Sequence, residues 1–372
     1  MKKILLFLVL LALIGTLVLW IRYGGGQAYP DLSTTPVLNS SSLEEVVTYA
    51  EPIGNVAVNR NGRLFFTVHP ESRPTGNKLL EYVRGAAIPY PSGAAQAELF
   101  DTVLGIVIDR FNRLWTIDHG NHGLRPARIV AIDLDTNEVL RNQVLPPDIA
   151  PVGSFLQDLQ VSADGNTIVI ADASFWRKSP AIIVYDVETG QARRLLESHV
   201  SVSAENYVIR SRDREMKFLG GIAALRGGVD GIALGPEWLY FAAISGSGLY
   251  RVLLSDLLDQ NLPPDQLANR VERISDKPLS DGLSIDVEGN VYVTDVEHGS
   301  IFVVGPGKEL KTLIQSRDLR WPDALSFGPD GYLYIADSAL LELILKSREH
   351  IDTHGPYRIF RFKPGVDGVP GQ

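Results

Sequence analysis

The segment "SDGLSIDVEGNVYVTD", residues 280 to 295, carries four carboxylates, Asp281, Asp286, Glu288 and Asp295, among short apolar runs. Carboxylates gathered at one point offer hard oxygen ligands to a cation such as Ca²⁺. They also raise one another's pKa until one serves as a general acid or base. Whether these four are gathered depends on the backbone. Apolar runs flanking "EGN" predict a two-stranded antiparallel hairpin, in which the residue before the first strand lies beside the residue after the second. Asp281 and Asp295 are then neighbours. Asp286 and Glu288 occupy the turn, four or five residues away at about 3.3 Å each. The acids form two pairs at opposite ends of the hairpin.

The hairpin recurs in "GNVAVNRNGRLFFTVH" from Gly54, "LGIVIDRFNRLWTIDHG" from Leu104, "QDLQVSADGNTIVIADAS" from Gln157, "VDGIALGPEWLYFAAIS" from Val229 and "PDALSFGPDGYLYIADSA" from Pro322. Most copies are followed by another strand pair, such as "AIIVYDVETGQARRLLE" from Ala181, whose Glu-Thr-Gly marks a turn. Four-stranded meanders repeating every 40 to 70 residues or so cannot bury both faces alone and must stack on their neighbours. The fold class expected is therefore all-β, a six-bladed β-propeller of four-stranded antiparallel blades, over residues 43–372. The last blade, ending in "YRIFRFKP", is one strand short, and "LEEVVTYAE" from Leu43 is expected to supply it and close the ring. Residues 198–229 interrupt the repeat. "SALLELILKSREHID" from Ser338 has helical apolar spacing and is expected to form a short helix capping one face, with a mobile lid over a pocket as the alternative.

Carried through the repeats, the position of Asp281 holds Asp230 and Asp323, with Asp158 one place later, while Gly54 and Leu104 break the series. The position of Asp295 holds Asp118 and Asp337, with Asp172 one place later. All lie on one face, where Asp158, Asp230, Asp281 and Asp323 crowd the central channel. These four are the candidate metal ligands, with Ca²⁺ the cation that oxygen donors suit, and Asp281 and Asp158 the candidate acid and base. Asp118, His119, Asp230, Asp295, Trp321 and Asp323 are candidates for holding a small-molecule ligand. "DHGNHG" places His119 and His122 at a spacing seen in metal sites, and Trp321, like Phe175 and Trp176, is suited to stack on an aromatic ligand. Singly, each Asp is better explained as a strand stop accepting hydrogen bonds from loop amides; it is the convergence of Asp158, Asp230, Asp281 and Asp323 that brings a functional reading level with it.

Composition narrows the chemistry further. The chain has no cysteine, which removes disulfides, thiolate nucleophiles and zinc–thiolate sites. A formal charge of −9 argues against a sequence-independent nucleic-acid surface. No nucleophile elbow, P-loop or HExxH occurs. At the N-terminus, Lys2 and Lys3 precede a nearly unbroken apolar run from Ile4 to Ile21. Residues 1–23 read as a transmembrane or signal helix, and residues 24–42, rich in Gly, Ser, Thr and Pro, as a linker. "GQAYP" offers small residues to a signal peptidase, but the length of the run favours a retained anchor. With the lysines cytoplasmic, the remainder is extracytoplasmic.

"SFLQDLQVSADGNTIVIADAS", "PAIIVYDVETGQARRLLESHVSV" and "GGVDGIALGPEWLYFAAISGSGLYRVLLSDLLD", together with "LWTIDHG", resemble in order the segments of the yellow / major royal jelly protein family. The resemblance implies an exported six-bladed propeller with a ligand pocket at its central channel. Some members of that family bind amines or act on dopachrome-like compounds, so a dopachrome-type isomerase is one implied activity. Asp158 and Asp230 sit in the matching motifs. "SDGLSID" is also similar to the aspartate motif of gluconolactonase and regucalcin lactonases, six-bladed propellers that hold a divalent cation by a first-blade Glu, an Asn and an Asp. Here Glu51 lies three residues before the expected frame, and Asp158 occupies the Asn position. A Ca²⁺-dependent lactonase is the alternative this implies, and a non-catalytic propeller presenting a protein-binding surface is a third.

Overall fold

Six runs of small and β-branched residues, Ile53–Val58, Val103–Ile108, Leu156–Val161, Val229–Leu234, Leu283–Ile285 and Pro322–Phe327, form the innermost strands around one axis. They are buried almost throughout, because each blade is covered on both faces by its neighbours. In the computed structural model, which describes residues 2–372, each run begins a four-stranded antiparallel sheet. The sixth sheet takes its outermost strand, Glu44–Tyr49, from the N-terminal side, paired with Tyr357–Phe362. The six-bladed propeller and its closure are as the repeats predict.

The turns linking the first two strands of each blade all face one way. Asp286 accepts hydrogen bonds from the amides of Glu288 and Asn290 and from Tyr292 Oη, and Asn59, Asp109 and Asp164 hold their turns in the same manner. These residues are turn formers, as the hairpin geometry requires. Asp109 also accepts from the buried Trp115 Nε1 at 2.8 Å and from Arg113 Nε at 2.6 Å. Asp109→Ala therefore strands a buried indole N–H and is expected to cost about 1–3 kcal/mol in urea unfolding, with Asp164→Ala well under that. Equal costs for the two would remove the Trp115 contact as the cause.

One segment departs from expectation, and two others complete the wall and floor of the channel. The apolar part of "SALLELILKSREHID" is a single 3₁₀ turn, Leu340–Glu342, broken at Leu345, where φ is 57°; the helix is the polar Arg348–Thr353. Leucines spaced for a helix are instead drawn down into the core beside the channel, and the hydroxyl of Ser347 caps the later segment. Residues 24–42 are strapped to the wall: Gln27 bridges to Tyr207, Thr34 and Thr312 exchange two hydrogen bonds, and Leu38 N donates to Leu313 O. The far end of the channel is filled by residues near Gln372, whose side chain reaches Leu234 N and Gln160 Oε1 and whose carbonyl accepts from Phe327 N. The channel is thus a blind well.

Ahead of all this stands a helix, Lys2–Tyr23, with mean hydropathy 3.0 and no buried residue, long and apolar enough to cross a membrane.

Candidate functional site

Five of the six innermost strands are kinked at the same place, since pairing with the second strand slips one residue between Ile53 and Val56, Val103 and Ile106, Leu156 and Leu159, Val229 and Ile232, and Pro322 and Leu325, whereas Leu283–Ile285 pairs in unbroken register. Such bulges re-aim side chains, and here they turn Asp158, Asp230 and Asp323 toward the axis beside Asp281. The glycine after two of these acids has a separate task. A methyl group on Gly231 would lie 2.4 Å from Asp281 O, and one on Gly282 would lie 2.1 Å from Asp323 O. "DG" therefore encodes an acid facing the channel and a gap into which the backbone of the next blade fits.

The ring is polar, deep and short of counter-charge. Asp230 and Asp281 face each other within reach of a hydrogen bond. Asp281 Oδ2 accepts from Trp321 Nε1 at 2.5 Å, Asp230 Oδ2 from Gln157 Nε2 at 2.6 Å, and Asp158 Oδ1 from Asn55 Nδ2 at 3.1 Å. Asp323 keeps a patch of surface against the channel cavity and Asp158 against a smaller space among Asn55, Gln160 and Gln372, yet both lie far below the outer surface. Burial, reinforced by the neighbouring carboxylates, pushes Asp158 up to about 8 and holds Asp230 and Asp323 well above the carboxylate range. Asp281 is also raised by burial, but the Trp321 and Asp230 hydrogen bonds and the charge of Lys277 hold it to about 6. Lys277 is itself fully buried, donates to Pro278 O, and is lowered to about 7.

Two histidines stand above the ring. His69 Nδ1 accepts the Glu71 amide, so the neutral ring carries its proton on Nε2, which faces Asp323 Oδ2 at 3.9 Å. Burial keeps His69 neutral, at about 4. Glu71 pairs with His122 Nε2 at 2.8 Å; burial alone would raise it, and the histidines hold it down at about 2. Over this floor opens a cavity of about 160 Å³, walled by Tyr23, Phe155, Phe175, Trp176 and Phe218, with His69, Asp281 and Asp323 at its base. A wider depression of about 500 Å³ lies on the opposite face, among turns whose Asp109 and Asn59 are already bonded.

The remaining sequence candidates divide. Asp118 accepts from the amides of Asp101, Thr102 and Gly120, and Asp295 from Glu297 N, His298 and Ser300; both are locked to their own loops and are removed from the ligand set. Trp321 is fully buried and offers Asp281 its N–H rather than offering a ligand its face. His119 is likewise buried, its Nδ1 accepting His122 N and its ring edge-on to Phe155, so it supports the cavity without lining it. Phe175 and Trp176 do line the cavity. Asn55, Gln157, His69 and Lys277 belong to the site and escaped the sequence reading. Asn55 was accessible to it, because the frame that gives Asp158 one place late gives Asn55 in the first blade.

The donors of the ring are all oxygen, as Ca²⁺ requires. Among the described residues, three acidic or histidine ligand atoms come together at Glu342, His350 and His354, away from the ring. Glu51, the first-blade candidate, pairs with Arg348 at 3.0 Å, outside the ring.

A family model described as Major royal jelly protein matches residues 101–348. Major royal jelly protein 2 of Apis mellifera is 28% identical over 178 residues, 44% of this chain and 38% of that protein. Major royal jelly protein 3 of the same organism is 26% identical over 160 residues, 40% of this chain and 27% of that protein. The match spans well under half the length of these curated relatives. Among solved structures, a luciferin-regenerating enzyme superposes with a TM-score of 0.56 at 11% identity, covering 88% of this chain and 97% of that one. A gluconolactonase from Xanthomonas campestris and a regucalcin from Agrobacterium tumefaciens, described as a calcium-binding protein, each give 0.55 at 13% identity, with 91% and 98% covered. At such identities the likeness is one of fold.

Proposed function

The chain belongs to the major royal jelly protein family, and we propose that its channel mouth binds a small molecule with an aromatic or apolar body and a basic or enolisable head, which Asp281 and Asp323 serve as base and acid. One observation carries the reading: beneath the aromatic walls, two carboxyls share the cavity floor in different surroundings, Asp281 against Trp321 Nε1 and Asp323 facing His69, which pushes their pKa values apart. Asp281, near 6, is ionised at neutral pH, and Asp323, well above the carboxylate range, retains its proton. Titratable groups pushed apart by their surroundings are how one site supplies both an acid and a base. An amine would enter as its ammonium and pair with Asp281. A carbonyl compound would lose a proton from its α-carbon to Asp281 and gain one from Asp323 at the far end of the conjugated system, an isomerisation with no net redox change. Lining by Phe175 and Trp176 supports an aromatic body.

Tyramine titrated into the full-length protein, followed by tryptophan fluorescence, is expected to bind at least about tenfold more weakly to Asp281→Asn than to wild type, with dopachrome turnover lost in parallel. Equal affinity in the two would sink the assignment of Asp281. The all-oxygen donor set favours a second reading, a Ca²⁺-dependent lactonase, and the same sample separates the two. Under the first reading, chelation leaves the melting temperature and tyramine binding unchanged. One Ca²⁺ per chain, with a fall in melting temperature on chelation, would instead install the second.

A further inference from the structure

The helix Lys2–Tyr23 does not simply lead into the propeller; its last turn is part of the well. Leu19 and Tyr23 line the cavity. Tyr23 Oη donates to Trp176 O and Arg22 Nη2 to Arg177 O, both at 2.8 Å, and the Tyr23 ring lies 5.7 Å from that of Trp176. A methyl group on Gly24 would meet Ile222 O at 2.9 Å, so the helix end is seated on the 198–229 insertion.

The face that receives the helix is apolar where it meets solvent. Leu124, Val152, Trp176, Val200, Leu219 and Leu345 are 46–68% exposed, and all lie in loops at the end of the blades where the acid ring opens. The opposite face exposes Phe111 and Val287 in its turns and, less fully, Val83, Val139 and Leu258 beside them, and there the channel is closed by residues near Gln372, so no cavity opens among them toward the acid ring. Apolar side chains clustered on one face mark a binding surface. At about 1.5 Å per residue, a helix of 22 residues is about 33 Å long, enough to cross a bilayer. Its seating brings this face, and the mouth of the well, to the membrane surface.

We propose that this face docks on the bilayer that the helix spans, and that the well takes its ligand from the membrane: an amphiphile whose apolar chain lies along Leu219, Leu340 and Leu345 while its basic head reaches Asp281 and Asp323. The identity of the head rests on the reading given under Proposed function; the docking does not. Interfacial binding of this kind scales with the apolar area that enters the headgroup boundary, and the loops add theirs to that of the helix.

The test uses the full chain carrying Trp20→Phe in phosphatidylcholine vesicles with brominated acyl chains. Trp115 and Trp321 are buried and Trp238 follows a turn of the opposite face, so quenching by lipid reports Trp176. Trp176 emission is expected to be quenched and Trp238 emission spared, and Val152→Glu with Val200→Glu is expected to abolish the quenching. In the same vesicles, dodecylamine should saturate the protein at a concentration at least about tenfold below tyramine. The double variant should lose that advantage while still binding tyramine. An unquenched Trp176, or membrane-derived protein whose N-terminus begins after Tyr23, overturns the docking. Tyramine binding without any gain for dodecylamine overturns supply from the membrane. If neither amine binds while Trp176 is quenched, the amine reading fails and the docking stands.

Discussion

Asp158→Asn is expected to melt well above the wild type at pH 8 and at the same temperature near pH 4. Asp158 has its folded pKa raised to about 8 from an ordinary 3.8, so between those values the folded state retains a proton that the unfolded chain has released. Stability then falls as pH rises through this window, by about 1.4 kcal/mol for each unit of displacement, and flattens above the folded pKa. Coupling to Asp281 shares the effect between sites, leaving a gain for the variant on the order of a few kcal/mol at pH 8, or roughly 5 °C or more. The neutral His69 contributes an opposite trend between about 4 and 6.5, but it does so in both proteins and cancels in their difference. Asparagine keeps an oxygen for Asn55 Nδ2, so no buried donor is stranded. Differential calorimetry from pH 4 to 9 reads the result. A variant less stable than wild type at pH 8 would mean that a cation compensates the ring in solution, and would favour the lactonase reading.

Gly282→Ala is expected to lose about 3 kcal/mol or more, because the added methyl meets Asp323 O at 2.1 Å and both partners are backbone held in adjacent blades. The only relief is to push blades five and six apart at the axis, which also parts Asp281 from Asp323, so ligand binding should fall with stability. Gly76→Ala, with open space around its Cβ position, should stay within about 0.5 kcal/mol in the same urea titration. If Gly282→Ala matched Gly76→Ala, the blades would be shown to yield there, and the close approach would not explain the "DG" pairs.

The propeller was legible because hairpin chemistry repeats locally. Turn acids, alternating strands and a missing last strand are each visible within a short window, and their recurrence supplies the global architecture. The separation of Asp281 from Asp286 followed from hairpin geometry alone. What the sequence concealed depends on contacts between distant segments. Position before the innermost strand and the following Gly282 mark Asp281 for the channel, but nothing local shows that Asp295, at the same end of the hairpin, spends its oxygens on Glu297, His298 and Ser300. His69 and Lys277 enter the site from loops with no repeating frame. Helical spacing at Ser338 misled because those leucines answer to the core beside the well rather than to a helix axis.

Closure of the ring by Glu44–Tyr49 against Tyr357–Phe362 also sets an order of events. Five blades are completed by strands that follow one another closely along the chain, whereas the sixth must hold one strand in reserve until its partner exists. At synthesis rates of roughly 5–20 residues per second, that wait lasts on the order of tens of seconds, during which an unpaired edge is open to other chains. The edge is guarded by its own charges. Glu44 and Glu45 repel indiscriminate pairing and later meet Arg361 and Arg358, each at 2.8 Å, beside a bulge between Glu45 and Val47 that spoils any flat partner. The seam that finishes the fold is thus also the device that keeps nascent copies from finishing one another.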